Sequence, residues 1–231
     1  MKILVIYPTP FEAGAFFKKY ASKKPALGDR FSLNAGVNQI DVVVSGYGGK
    51  AAVERIKNIA EELKPDMAML CGFCGACAPD IAKCDYLYET DSVFLKSVFE
   101  GLGARSAKIA CSAVFAGLED KKRLYRAGYA AVDMESALFI PHFGSEKFGS
   151  FRCVSDELES NIPEEFFHLL IDTETGGDKP LLGAVFKLFM KDPRHILSLI
   201  SYAKGSRKMK ANYDAKALAL IEKLGVAEFK G

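Results

Sequence analysis

The first 155 residues alternate between short apolar runs of buried-strand character and stretches with helical spacing, and this alternation limits the fold more than any other feature. Residues 2–7 (KILVIY) read as a first buried strand. Thr9-Pro10-Phe11-Glu12 then opens a helix expected to run to about Tyr20. Thr9 suits the N-cap, Pro10 the first helical position and Glu12 the capping-box carboxylate. Residues 31–33 and 39–45 suggest a hairpin ending in DVVVS, and Gly46, Gly48 and Gly49 turn the chain into a helix over 50–63. Further strands are expected at 67–71, 83–89, 106–111, 130–133 and 149–154. Strands and helices in this order predict an α/β layer structure with a largely parallel or mixed sheet.

After Asp156 the pattern becomes helical, with apolar spacing over 164–171, 181–190, 194–204 and 212–224. The segment 172–179 and the Asp192-Pro193 break read as loops. At 231 residues one domain, 1–231, is the default, with 179–231 as its helical C-terminal extension. The formal net charge is only +2, from 31 basic and 29 acidic residues, which argues against a nucleic-acid partner. The clusters Lys18-Lys19, 121–123 and 207–210 read as solvated faces. There is no run of about 18 apolar residues, so no membrane span is expected, and the N-terminus lacks a secretion signal, so a cytoplasmic protein is expected.

Six cysteines in such a setting are expected as reduced thiols. Cys71, Cys74 and Cys77 form C-x-x-C-x-x-C, with Cys84 beyond, a spacing similar to that of iron–sulfur ligands. The run also continues directly from an apolar strand and is interleaved with Gly72, Gly75 and Ala76. Small residues admitting close backbone approach explain it equally.

The stretch 129–140 (YAAVDMESALFI) places Asp133 and Glu135 where a strand runs into a helix. A carboxylate there points into the crevice where open α/β sheets bind ligands. The plainer alternative is that Asp133 caps the helix and Glu135 sits in its first turn, where negative charge suits the dipole. SGYGGKAA is glycine-rich, but it has neither the dinucleotide spacing nor the terminal Lys-Ser/Thr pair of a phosphate-binding loop.

Four segments in this order resemble the nucleoside phosphorylase and nucleosidase superfamily: the first strand and helix with Glu12, SGYGGKAA with the strand into CGFCGA, VDMES, and FRCVSD. The resemblance is to the branch of methylthioadenosine/S-adenosylhomocysteine nucleosidase and futalosine hydrolase, and it spans about two-thirds of the chain, 1–156. It implies a three-layer fold with a mixed central sheet flanked by helices. Glu12 matches the acid that positions and deprotonates the attacking water, and Met134 and Glu135 match the pair that holds the ribose. Asp156 matches the acid at the purine N7, and Arg152 and Ser155 belong to the same R-x-x-S-D segment. Phe115 is a candidate base-stacking residue.

There are departures. Tyr7-Pro8-Thr9-Pro10 replaces the G-D-P-type loop of phosphorylases, and Leu70 and Phe73 stand where many of them carry a phosphate-binding Arg and Ser. Phe73, counted among the substrate-contacting residues, also replaces a serine common in the methylthioadenosine nucleosidases. DKPLLG, KDPR and the apolar segments around them are similar to the hopanoid-associated members that release adenine from adenosylhopane.

Breaking a ribosyl N-glycosidic bond develops cationic charge on the sugar and negative charge on the base, so an acid at the base and carboxylates at the sugar stabilise both ends. The expectation is a purine nucleosidase acting on a 5′-modified nucleoside, a homodimer with neither metal nor organic cofactor. The alternatives are a phosphate-dependent phosphorylase, with Arg152 and the Gly46–Gly49 turn at the anion site, and a non-catalytic nucleoside-binding protein on the same fold.

Overall fold

The computed structural model describes residues 1–160, 171–172, 177–178 and 195–227. Strand β1 (Lys2–Tyr7) leads to α1 (Pro10–Phe16), which widens into a π-helical turn over Phe17–Ala21. The hairpin of β2 (Arg30–Ala35) and β3 (Asn38–Val44), helix α2 (Lys50–Leu63) and strand β4 (Met67–Ala76) follow. Next come β5 (Tyr86–Thr90), α3 (Val93–Glu100), β6 (Arg105–Ser106), β7 (Ile109–Cys111) and α4 (Leu118–Arg126). Strand β8 (Ala131–Asp133), α5 (Ser136–Phe143) and β9 (Phe148–Asp156) complete the segment bearing the motifs. Beyond it lie the short antiparallel pair β10 (Ile171–Asp172) and β11 (Gly177–Asp178), and α6 (His195–Val226).

The main sheet has the order β2-β3-β1-β4-β9-β5-β6, with β7 and β8 joined to the C-terminal end of β4. Strand β1 runs parallel to β3 and β4, and β4 parallel to β9, whereas β2, β5 and β8 pair antiparallel with their neighbours β3, β9 and β4. The sheet is therefore mixed. Both faces of β1 are covered, which is why its sequence shows no polar alternation. Ile3, Val5 and Tyr7 join α1, α3 and α6 in one core layer, and Leu4 and Ile6 join Ile56 of α2 and Phe139 of α5 in the other.

Several expected elements come out differently. The strand expected over 106–111 is two, β6 beside β5 and β7 beside β8. The strand expected over 67–71 continues through CGFCGA to Ala76, because its small residues let β8 and β9 pair on both sides of it, with a register shift at Cys74/Gly75. Its cysteines diverge: Cys71, Cys74 and Cys77 are each buried in a different apolar cluster, and no three His, Cys, Asp or Glu side chains converge as a metal site among the described residues. The two helices expected at 194–204 and 212–224 are one helix, α6. No proline interrupts them, and Gly205 alone costs only about 1 kcal/mol. Met209, Tyr213, Ala217, Leu220 and Leu224 form one buried stripe of α6 on the sheet. The expected helix over 181–190 lies outside the described residues, as does that over 164–171 apart from Ile171, which belongs to β10. No described helix is long and apolar enough to cross a membrane.

Candidate active site

The ends of β1, β4, β8 and β9 meet where β4 changes partners. Glu12 enters from α1. The capping box read from the sequence is present: Glu12 N–H donates to Thr9 Oγ1 (3.1 Å), and Glu12 Oε2 accepts from Thr9 N (2.9 Å) and Oγ1 (2.8 Å). The carboxylate also reaches the sheet, where Oε1 accepts from the Phe73 N–H at 2.8 Å. Burial raises its pKa above the ordinary carboxylate range, against the opposing pull of Arg152.

At the β8–α5 junction the two readings of the acidic pair divide between the residues. Asp133, two residues before the N-cap, ties down the helix start, its Oδ1 accepting from Ser136 N (3.1 Å) and Oγ (2.8 Å). Glu135 is the N-cap residue rather than a first-turn one, and its side chain makes no capping bond. It is 4% exposed, with Oε1 accepting from Gly48 N (3.2 Å) and Oε2 from Arg152 Nη2 (3.1 Å). The glycine-rich loop thus serves Glu135 in this structure. Gly48 must lack a side chain, because a Cβ would lie 2.1 Å from the carbonyl oxygen of half-buried Met134.

Arg152 organises this cluster and is fully buried. Its Nε and Nη2 donate to Asp133 Oδ2 at 2.9 and 2.5 Å. Nη1 has no partner. Arg152 lies opposite Gly72 in the β4–β9 register, and a Cβ on Gly72 would lie 2.7 Å from Nη1 and 2.3 Å from Glu12 Oε1. The missing side chain is the space in which the guanidinium and the Glu12 carboxylate face each other. Asp133, Glu135 and Glu12 all act on this one cation. Burial pushes Glu135 up to about 7, with Arg152 opposing and Asp133 adding to the rise.

Four residues along β9 a second cluster forms. Asp156 is ion-paired with Lys121 of α4, which is 3% exposed, and Ser155 Oγ lies 2.5 Å from Asp156 Oδ1 and 3.1 Å from the Cys74 carbonyl oxygen. Lys121 corrects the sequence reading. Lys122 and Arg123 do pair at the surface with Glu119 and Asp120, but Lys121 points inward. No sequence signal separates it from its neighbours, since Leu118, one turn before it, is itself exposed. Lys210, in the other cluster read as solvated, is half-buried: it pairs with Asp214 and lies 5.0 Å from the Phe11 ring centroid.

Phe73 lies at the Glu12 end of this cluster, its ring 4.6 Å from Tyr213 of α6 and 6.1 Å from Phe11. Leu70 is buried on the opposite face of the sheet, among Leu4 and Ile6, so it contributes nothing to an anion site. Phe115 is half-buried in the loop between β7 and α4, which also carries the chain to Lys121. The structure thus gathers Glu12, Glu135 and Arg152 in one group and Ser155 and Asp156 in a second on the same strand. Asp133 as the partner of Arg152, Lys121 and the hydroxyls of Tyr7 and Tyr213 were not legible as site residues. Those two hydroxyls are buried without partners.

The sequence matches no protein-family model, and it matches no curated protein. Solved structures do resemble it. S-adenosylhomocysteine nucleosidase from Streptococcus pyogenes, in complex with 5-methylthiotubericidin, matches with a TM-score of 0.63 at 15% identity, covering 97% of each chain. The 5′-methylthioadenosine/S-adenosylhomocysteine nucleosidase of S. pneumoniae matches at 0.61 and 15% identity, over 97% of this chain and 100% of that one. Futalosine hydrolase of Helicobacter pylori strain 26695 matches at 0.54 and 15% identity, over 68% of this chain and 88% of the other. At such identities the likeness is one of architecture: this chain is built on the α/β fold of these nucleosidases.

Proposed function

We propose that the protein is a purine nucleosidase that hydrolyses the N-glycosidic bond of a 5′-modified nucleoside to free base and modified ribose. The observation that carries this reading is the gap over Gly72, where the partnerless Nη1 of Arg152 faces the Glu12 carboxylate. A water molecule fits that chemistry. It can accept from Nη1 and donate to Glu12, leaving a lone pair to attack the anomeric carbon. Glu12, raised by burial, is a better proton acceptor than an ordinary carboxylate. A phosphate dianion would instead meet Glu12, Glu135 and Asp133, with Arg152 the one cation of that cluster and already paired. A like-charge contact at about 4 Å costs roughly 1 kcal/mol even in a water-like dielectric, and more in a dry site.

In this reading Glu135 accepts from the ribose hydroxyls and offsets the cationic charge that develops on the sugar, while Met134 packs against it. Asp156 and Ser155 serve the base, and Phe73 and Phe115 supply apolar contact. The same reading takes the protein as a cytoplasmic homodimer and, from its length, as a single domain with its helical C-terminal extension. Exposed Val114, Leu118, Leu138 and Ile140 are apolar surface that a second subunit would cover.

The test is base release, followed by chromatography, from adenosine, inosine, methylthioadenosine, S-adenosylhomocysteine, futalosine and adenosylhopane, with and without phosphate. The expected result is release unchanged by phosphate, with a free ribose-type product, and a Glu12→Gln variant that is nearly inactive. Strict dependence on phosphate, or a ribose 1-phosphate product, would overturn the hydrolytic reading.

A further inference from the structure

Lys121 is a cation placed where cations are disfavoured. It is the fourth residue of α4, at the end where the helix dipole repels positive charge, and it is almost wholly buried. Its Nζ bonds the Asp156 carboxylate and the Glu157 carbonyl oxygen (3.1 Å). An ammonium has three N–H groups, so these two bonds leave one over. Gly75 makes room for the pair, since a Cβ there would lie 3.0 Å from Lys121 Cε and 3.1 Å from Asp156 Oδ2. Among the described residues, the thiols of Cys74 on β4 and of Cys77 just beyond its end act on the pair. Burial pushes both up, Cys77 to about 11, so they are uncharged in the neutral range. Asp156 Oδ1 is engaged by Ser155 and Oδ2 by Lys121, and a carboxylate so engaged is an acceptor rather than an acid.

We propose that Lys121 is the positioning residue of the base end: it holds Asp156 in place and supplies the proton that Asp156 passes to the departing purine. This rests on the nucleosidase reading. As the bond from the anomeric carbon to the purine nitrogen breaks, its electron pair goes to the purine. Asp156 Oδ2 takes a proton from Lys121 Nζ and delivers it to N7 of the base. Lys121 is left as a neutral amine and regains a proton from solvent after the base departs.

The experiment compares wild type, Lys121→Met and Lys121→Arg from pH 5 to 9, on whichever nucleoside of the panel the wild type cleaves and on 4-nitrophenyl riboside, whose leaving group needs no proton. With Met, the proton must sit on the carboxyl alone, which releases it at lower pH than an ammonium does. The basic limb of turnover should therefore move to lower pH, with a deficit growing about tenfold per pH unit above it, and 4-nitrophenyl riboside should be spared. Arginine restores the charge but does not give up its proton. Lys121→Arg should recover the melting temperature and yet remain roughly 100-fold slow on the natural substrate. A uniform loss across pH and substrates in the Met variant, or full recovery of turnover with Arg, overturns the inference and leaves Lys121 a structural charge. If the Met variant does not fold, the Arg variant decides by the same two substrates. A wild type that releases base from no nucleoside overturns the nucleosidase reading itself, and this inference with it.

Discussion

Gly72→Ala probes the nucleophile side of the site with a single methyl group. Gly72 has φ +154, and its absent Cβ would lie 2.3 Å from Glu12 Oε1 and 2.7 Å from Arg152 Nη1. Ordinary contact begins at 3.4 Å, so both Glu12 and Arg152 must retreat, by about 1 Å, to admit it. Neither is free to do so, because Arg152 is clamped by Asp133, and Glu12 is held by Thr9 and the Phe73 N–H. A displacement of about 1 Å at a reacting group costs roughly 100-fold in rate. The backbone strain adds about 1–3 kcal/mol, which lowers the melting temperature by roughly 2–12 °C in a chain of this size. The assay pairs base release under saturating substrate with thermal unfolding, and Gly117→Ala, where a Cβ meets nothing within 4 Å, is the control. Turnover within about threefold of wild type in a folded Gly72→Ala protein would refute the assignment of the nucleophile to this gap.

Four further outcomes are expected. Glu135→Gln should stay folded, since Arg152 keeps Asp133, and should lose roughly 100-fold or more in turnover as the charge facing the sugar disappears; unchanged turnover would remove Glu135 from the ribose site. Because burial lifts Glu135 from its ordinary 4.5 to about 7, kcat/KM should rise with pH through about 7, and this acidic limb should vanish in Glu135→Gln. The folded state holds that proton more tightly than the unfolded chain, so the same group's stabilising contribution is complete below about 4.5 and is lost as pH rises through about 7. The difference in melting temperature between wild type and Glu135→Gln should follow that window. Asp133→Asn leaves the buried guanidinium with one carboxylate partner and should cost about 3–5 kcal/mol, visible in urea unfolding as a lower midpoint at unchanged m-value.

The local grammar of the chain was legible in its residues. The capping box at Thr9–Glu12, helix α2, the β2–β3 hairpin and the strands into Asp133 and Asp156 follow from period, caps and turn residues that act over a few positions. Glu12, Glu135 and Asp156 stood out together through the family resemblance, which matches each to an acid of the nucleosidase site. Tertiary structure decided which charge meets which. Asp133 and Glu135 share one short motif, yet one ties down the start of α5 and clamps Arg152 while the other joins the Gly48 N–H to Arg152, a division set by where β9 lies beside β4. Lys121 looks like its neighbours Lys122 and Arg123 along the sequence. Only the packing of α4 turns it inward to Asp156, 35 residues away in the chain. Propensity and capping are properties of neighbouring residues, whereas the pairing of buried charges depends on strand register and on the space left at Gly72 and Gly75.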